Sequence, residues 1–427
     1  HAPSVAGLAY SLGSGAMSNS IPEIEDADLL FIFGYNGADS HPIVARRIVR
    51  AKEKGATLIA VDPRVTETAR ISDMHLPIKG GTNMILVNAF GNVLINEKLY
   101  DEEFVKEHTD NFEEYKKIVE PYTPEYAAKY TNIPADMIRK TMREYAKAKD
   151  AMILYGMGVC QFSQAVDVVK GLASLALLTG NFGRPNVGIG PVRGQNNVQG
   201  ACDMGALPDC YPGYQKVTNP EIRAKFEKAW GVKLPGEVGL KLTEVPHAVL
   251  EEHKIKAYYI FGEDPVQSDP DAAEVREALD ECEFVVVQDI FMNKTGLHAD
   301  VIFPATSWGE HDGVYSSADR GFQRIRKAVE PKGDVKTDWQ IICEVSTAMG
   351  YPMHYNNTKE IWDEMRSLTP SFFGATYEKM EKYGCVQWPC KDESDADLGT
   401  MYLHKYGIFA TSDHKGQLFA AEWRPPY

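Results

Sequence analysis

Arg193 is the lone charge in Pro191-Val192-Arg193-Gly194-Gln195-Asn196-Asn197-Val198-Gln199-Gly200. Glycine lets backbone approach a ligand closely, and Asn and Gln offer both donors and acceptors. A single guanidinium in that setting suits a buried anion; it equally suits a structural carboxylate brought from elsewhere, and composition does not separate the two. The run lies within Gly180–Gly213, which holds eight glycines and keeps neither helical nor strand periodicity. A long loop is expected there, and its length points to function. Its low charge and its Val, Ile, Leu, Met and Tyr argue against disorder.

The second chemical signal is a duplication of carboxylates flanking this run. Phe31-Ile32-Phe33-Gly34 is followed by a helical stretch, then Asp62, Asp73 and Pro77. Tyr259-Ile260-Phe261-Gly262 is followed by a helical stretch, then Asp289, Asp300 and Pro304. Gly34 and Asp62 are 28 positions apart, Gly262 and Asp289 are 27 apart, and the two later intervals, 11 and 4, are identical. Polar clusters follow each glycine: Asn36 and Asp39 in one copy, Glu263 and Asp264 in the other. Strand-end acids are common in turns, so two generic βαβ units also fit. A repeated spacing favours duplication. At the carboxyl edge of a parallel sheet, glycine admits a phosphate and an acid receives ribose or base donors. No GxGxxG follows the first strand, which disfavours ordinary NAD binding. Two facing nucleotide sites with an arginine loop between them suggest a dinucleotide used twice.

The elements that must position these residues follow from apolar runs. Residues 27–34, 56–62, 152–156, 256–262 and 284–289 read as buried parallel strands. Helical spacing covers 42–54, 82–96, much of 101–149, 164–178, 221–230, 271–279, 337–349 and 359–367, with Thr82 or Asn83, Asp101 and Asp136 as caps. The opening eight residues read as a loop entering a helix. The fold class is α/β, two Rossmann-like doubly wound domains related by internal duplication, plus a polar loop-rich segment. Boundaries are placed at 1–195, 196–358 (with 308–336 loop-rich) and 359–427. The chain of 427 residues is long enough for such cores. A formal net charge of −15 argues against a nucleic-acid surface. No apolar run reaches the roughly 18 residues of a membrane span. The seven cysteines form no CxxC pair, and an odd count suits a reducing, cytoplasmic setting. Each reads as a small buried hydrophobe. The chain opens at His1 without an initiator Met and ends on Trp423-Arg424-Pro425-Pro426-Tyr427, which looks cut rather than finished.

These residues resemble a known family. His1-Ala2-Pro3-Ser4-Val5-Ala6-Gly7-Leu8, Phe33-Gly34-Tyr35-Asn36, Asp39-Ser40-His41-Pro42, Asp62-Pro63-Arg64, the stretch Val192–Gly205, Gly262-Glu263-Asp264-Pro265, Gln288-Asp289-Ile290-Phe291 and Lys336-Thr337-Asp338-Trp339 are similar to the catalytic subunit of molybdenum- or tungsten-dependent formate dehydrogenases. These are bis-molybdopterin guanine dinucleotide oxidoreductases with the DMSO reductase-like fold. The resemblance runs from end to end. It implies a metal held by two pyranopterin dithiolenes, a sulfido group and a selenocysteine or cysteine. That protein ligand is expected immediately before His1, so no metal ligand lies within the chain. A 4Fe-4S cluster region before it and a C-terminal barrel after residue 427 are expected in the whole subunit, with 308–336 packing toward the cluster region.

The resemblance also implies roles. Arg193 would bind the formate carboxylate, since a planar guanidinium matches it bidentately. His1 would accept the proton released as formate becomes CO2; by itself a terminal His reads as a solvated residue. One guanine dinucleotide would lie over Gly34, Asn36, Asp39, Asp62, Arg64, Gly81, Asn83, Met157, Gly158 and Gln161. The other would lie over Gly262, Glu263, Asp264, Gln288, Asp289, Ile290 and Asp338, with Gly194 and Gln195 near the pterins. Electrons would pass to the Fe-S cluster and a partner subunit of Fe-S, flavin or deazaflavin type. Two alternatives remain: another enzyme of this cofactor class, of nitrate reductase or formylmethanofuran dehydrogenase type, and a non-catalytic electron-transfer or structural subunit.

Overall fold

Leu29–Phe33 (β1) is buried at all five positions, which demands cover on both faces of its sheet. The computed structural model of the chain describes residues 1–425 and supplies that cover. With Thr57–Val61 (β2), Met74–Leu76 (β3), Ala151–Tyr155 (β4) and Gly188–Pro191 (β5), β1 forms a parallel sheet of order β3-β2-β1-β4-β5. Side chains alternate between faces. Phe31, Phe33, Ile59, Val61, Ile153 and Tyr155 enter one core; Leu30, Ile32, Leu58, Met152 and Leu154 enter another. The helices are Ala2–Leu12 (α1), Pro42–Glu53 (α2), Asn83–Asn96 (α3) and Ala165–Leu178 (α4). α2 covers the second face through Val44, Ile48 and Ala51. α3 and α4 are apolar nearly all round and sit inside the first core, as that pattern requires.

The chain divides into two compact units. The first comprises His1–Gln199, Ser316–Gly321 and Thr400–Tyr427; the second comprises Gly200–Tyr315 and Phe322–Gly399. The expected boundary at 195 falls close to the first division. Residues 359–427, expected as one segment, are shared between the units; Pro426 and Tyr427 lie outside the described residues. The late return to the first unit is fixed by pairing: Gly416–Gln417 lies parallel to Thr109–Asp110.

The second unit contains Ala257–Phe261 (β6), Phe284–Asp289 (β7) and Val301–Pro304 (β8), parallel in the order β8-β7-β6. Ala272–Glu281 (α5) packs Val275 and Leu279 on Ile260, Val285 and Val287. This sheet repeats the first in register. Phe33 pairs with Val61 as Phe261 pairs with Gln288, and Val61 pairs with Leu76 as Gln288 pairs with Phe303. Local contacts repeat too. Gly34 N donates to Val61 O and Gly262 N to Gln288 O, both at 2.8 Å, and the two glycines have φ of +57° and +56°. Asp73 accepts from Leu58 N at 2.8 Å and Asp300 from Val285 N at 2.7 Å. These two acids therefore tie the beginnings of β2 and β7 and stay away from the carboxyl edge.

Several expectations are corrected. The stretch 180–213 is not loop throughout: β5 and the helix Val198–Asp203 lie within it. Glycine in β5 answers to packing, since a Cβ on Gly190 would stand 2.6 Å from Met17. Residues 308–336 are not only loop, because Gly313–Ser316 and Gly321–Ile325 pair as strands. Phe322 supplies the reason, being wholly buried and edge-on to Trp362 and Phe372. The opening segment is helical from Ala2. Asp101 caps its helix through Phe104 N, whereas Asp136 sits inside the first turn of a helix entered from Pro134. No helix among the described residues is long and apolar enough to cross a membrane.

Gly34→Ala and Gly262→Ala both carry the left-handed φ cost of about 1 kcal/mol. A Cβ on Gly34 would also meet the Gly158 backbone at 2.8 Å, whereas nothing lies within 4 Å of one on Gly262. Urea unfolding is therefore expected to show a loss of about 1 kcal/mol for Gly262→Ala and about 2–3 kcal/mol for Gly34→Ala. His404 is buried, stacked on Phe409 at 4.8 Å. Burial, helped by the Arg320 cation, holds it down at about 3. The unfolded chain thus binds a proton that the folded chain refuses. Stability falls as pH drops from about 6.5 toward 3, with a slope approaching about 1.4 kcal/mol per pH unit. His404→Phe is expected to flatten that part of the pH dependence of the urea midpoint.

Candidate active site

Because all five strands of the first sheet are parallel, their carboxyl ends share one edge. The order reverses between β1 and β4, since the chain runs β1 to β3 on one side and then crosses to β4. A crevice opens at such a point. Its walls are the turns after β1 and β4. A Cβ on Gly158 would lie 2.7 Å from Gly34 Cα, and one on Gly156 2.9 Å from Gly34 O. Only glycine lets the two turns approach so closely.

The first expected group assembles on this edge. Gly34 ends β1, Asp62 follows β2, and Met157, Gly158 and Gln161 follow β4. Asn36 donates to Asp39 at 2.5 Å and accepts from Thr68 at 3.2 Å. Asp62 accepts from Arg64 N at 2.8 Å, which shapes the turn after β2. Gly81 (φ +80°) stands before α3 and Asn83 opens it, and Gly81 O accepts from Trp423 Nε1 at 2.9 Å. Asn83 is buried and its Nδ2 has no hydrogen-bond partner. A buried amide left without an acceptor is costly, so Asn83 fits a bound polar group.

The second group lies at the carboxyl edge of β6 and β7 in the other unit. Gly262, Glu263 and Asp264 follow β6; Asp289 and Ile290 close and follow β7. Asp289 accepts from Phe291 N at 2.9 Å, as Asp62 does two residues on. Burial acts to raise Asp264, but bonds from Thr295 and Lys294 outweigh it and hold the carboxyl low. Burial raises Glu263, with Asp269 adding to it. The Gln288 amide is already committed, donating to Asp338 at 2.6 Å and accepting from Tyr259 at 2.6 Å. It therefore orients Asp338, which opens its own helix, Asp338–Ala348 (α6).

Arg193 follows β5 on the first edge, 3% exposed, its Nη2 donating to Gly15 O at 3.2 Å. Residues 192–199 line a cavity of about 280 Å³ with Ile21, His41, Val44 and Ser316–Ala318. Gly194 and Gln195 are exposed, and nothing lies within 4 Å of a Cβ on Gly194. His1 is half-buried and not the solvated residue a terminal His suggests. Its Nδ1 meets Ser4 Oγ at 3.0 Å, and that hydroxyl meets Cys160 Sγ at 3.3 Å. Its Nε2 is buried with no hydrogen-bond partner. Burial pushes the Tyr155 phenol and the Cys160 thiol up, with the Arg193 charge acting against it on both. Cys160 Sγ lies 3.6 Å from His1 Nδ1 and the Tyr155 ring 6.5 Å from the imidazole, and both groups stay neutral.

Sequence reasoning missed Ser4, Tyr155, Cys160 and His41 as members of this site. Ser4 was within reach of pattern, three residues beyond His1 on one helix face. Cys160 carries no sequence signal beyond that of a buried hydrophobe. Among the described residues, no group of three or more His, Cys, Asp and Glu side chains is placed to hold a metal.

Residues 4–348 match the molybdopterin oxidoreductase model, and the chain belongs to that family, whose cofactor is a molybdopterin with molybdenum or tungsten. It is 59% identical over 427 residues to formate dehydrogenase H of Escherichia coli (strain K12), covering 100% of this chain and 59% of that protein. It is 46% identical to the F420-dependent formate dehydrogenase subunit alpha of Methanocaldococcus jannaschii, covering 99% of this chain and 62% of that one. The chain thus spans about three-fifths of each of these two relatives. Acetylene hydratase from Pelobacter acetylenicus has the same fold, with a TM-score of 0.77 over 99% of this chain and 60% of that one, at 22% identity.

Proposed function

We propose that the chain is the catalytic core of a molybdenum- or tungsten-dependent formate dehydrogenase, oxidising formate to CO2 or running the reverse. The observation that carries this is the buried Arg193 guanidinium placed with His1 on one carboxyl edge. Both proteins named above as relatives are formate dehydrogenases, which supports the reading. Arg193 binds the carboxylate through paired, charge-assisted hydrogen bonds. His1 Nε2, with Nδ1 held by Ser4, takes the substrate proton. Tyr155 and Cys160 wall the site without adding charge. The buried walls exclude water, which strengthens the arginine–carboxylate attraction.

Two guanine dinucleotides fit the two carboxyl edges. The first lies over Gly34, Asn36, Asp39, Asp62, Arg64, Gly81, Asn83, Met157, Gly158 and Gln161. The second lies over Gly262, Glu263, Asp264, Asp289, Ile290 and Asp338, with Gln288 acting through Asp338. Gly194 and Gln195 would stand near the pterins. When bound, the pterin-held metal supplies the two-electron redox chemistry. A 4Fe-4S cluster, an electron-transfer partner subunit and a cytoplasmic location complete the proposal. Extraction of the intact subunit is expected to release two guanine nucleotides per molybdenum or tungsten atom. One nucleotide, or none, would refute the paired-site assignment and favour a non-catalytic subunit.

A further inference from the structure

The Arg193 main chain is bonded to a side chain from outside the arginine loop. His41 Nε2 stands 2.6 Å from the main-chain carbonyl of Arg193. A carbonyl only accepts, so Nε2 carries the hydrogen and donates it. The histidine is itself a fixed post. Its N–H donates to Gly37 O at 2.8 Å, and its carbonyl accepts from Ala45 N at 2.9 Å. Its ring lies on Tyr35 with centroids 5.5 Å apart, and Nδ1 meets Ser40 Oγ at 3.1 Å. That hydroxyl donates to Asn36 O at 2.8 Å. The loop beyond Arg193 is lightly held by comparison. Residues 194–196 are exposed, Val198 N reaches Gln195 O only at 3.4 Å, and Asn197 accepts from Ser316 N at 2.9 Å.

We propose that His41 is the positioning residue for Arg193, fixing the arginine's main chain from the Asn36–His41 turn. The proposal rests on the reading of Arg193 as the carboxylate binder. It adds that the turn assigned to the first nucleotide and the substrate arginine are joined by one side chain. A displacement of about 1 Å in a binding group is enough to cost a large part of its effect. His41 does not touch the substrate in this scheme; its effect is on where the guanidinium stands.

Two substitutions separate the hydrogen bond from the packing. His41→Phe keeps a ring against Tyr35 and loses the donor; His41→Gln keeps an amide donor near the Nε2 position and loses the ring. Both are made in the metal-loaded intact subunit, with two readouts. One is the steady-state KM and kcat for formate with a viologen acceptor. The other is hydrogen–deuterium exchange of the segment 193–197. For His41→Phe, KM is expected to rise about tenfold with kcat changed less, and exchange to quicken about tenfold, the effect of one lost hydrogen bond. His41→Gln is expected to stay near wild type in both. The reverse pattern, Phe neutral and Gln damaging, would overturn the proposal, as would equal loss in both variants accompanied by loss of metal. If the wild type turns over no formate, the functional reading fails, while the exchange pattern still supports or overturns the latch.

Discussion

Arg193→Ala in the metal-loaded intact subunit raises KM for formate by about 100-fold and leaves metal content unchanged. The size follows from what is removed. A bidentate guanidinium–carboxylate pair contributes two charge-assisted bonds, together worth about 3 kcal/mol when desolvated, and each 1.4 kcal/mol is a factor of ten. Arg193 is 3% exposed, so its bonds are not diluted by solvent. Arg193→Lys is expected to recover only a small part, because a point charge on a flexible stem lacks the planar fork. Steady-state kinetics with formate and a viologen acceptor, paired with elemental analysis, measure both quantities. Loss of metal content in Arg193→Ala would show instead that the side chain is structural, the alternative that composition left open.

His1→Ala lowers kcat by about 100- to 1,000-fold with KM changed only a few-fold. Proton transfer by a positioned side chain contributes about 10²–10⁴-fold. The geometry assigns the role to Nε2, which is buried without a partner while Nδ1 is held by Ser4. Ser4→Ala is the milder form of the same lesion, since the imidazole survives and only its anchor is lost. Single-turnover kinetics separate the chemical step from binding. A His1→Ala subunit with normal kcat would remove His1 from the mechanism and leave Arg193 in place.

The parts of this fold that were legible in the sequence are those where local pattern and tertiary structure agree. Buried parallel strands carry unbroken apolar runs, so β1, β2, β4, β6 and β7 were readable within a residue or two. The duplication was readable because a carboxylate at a strand end fixes spacing, and the repeated register of the two sheets bears that spacing out. β5 was not readable. It is half glycine, chosen for the closeness of Met17 and Leu154, and no local propensity announces a strand. The Gly313–Ser316 and Gly321–Ile325 pair was hidden for a related reason, because its burial comes from Phe322 meeting Trp362 and Phe372, far along the chain.

The site divides in the same way. Arg193 stood out as one charge in an uncharged run, and motif resemblance lifted His1 from its terminus. The contacts that connect them are long-range. Ser4 and Cys160 are 156 residues apart, and His41 and Arg193 are 152 apart; no periodicity spans such distances. Gln288 shows the opposite limit. It is expected at the nucleotide, and the bonds its amide makes to Tyr259 and Asp338 had no signal in the local pattern.

On the proposed reading, this carboxyl edge oxidises formate. The direct measurement is formate-dependent reduction of a viologen by the intact subunit with its metal loaded and quantified. The expected result is saturable turnover with formate that scales with metal content, and no nitrate-dependent oxidation of pre-reduced viologen. A fully metal-loaded subunit that turns over nitrate, or that carries both nucleotides and turns over no formate, would contradict it.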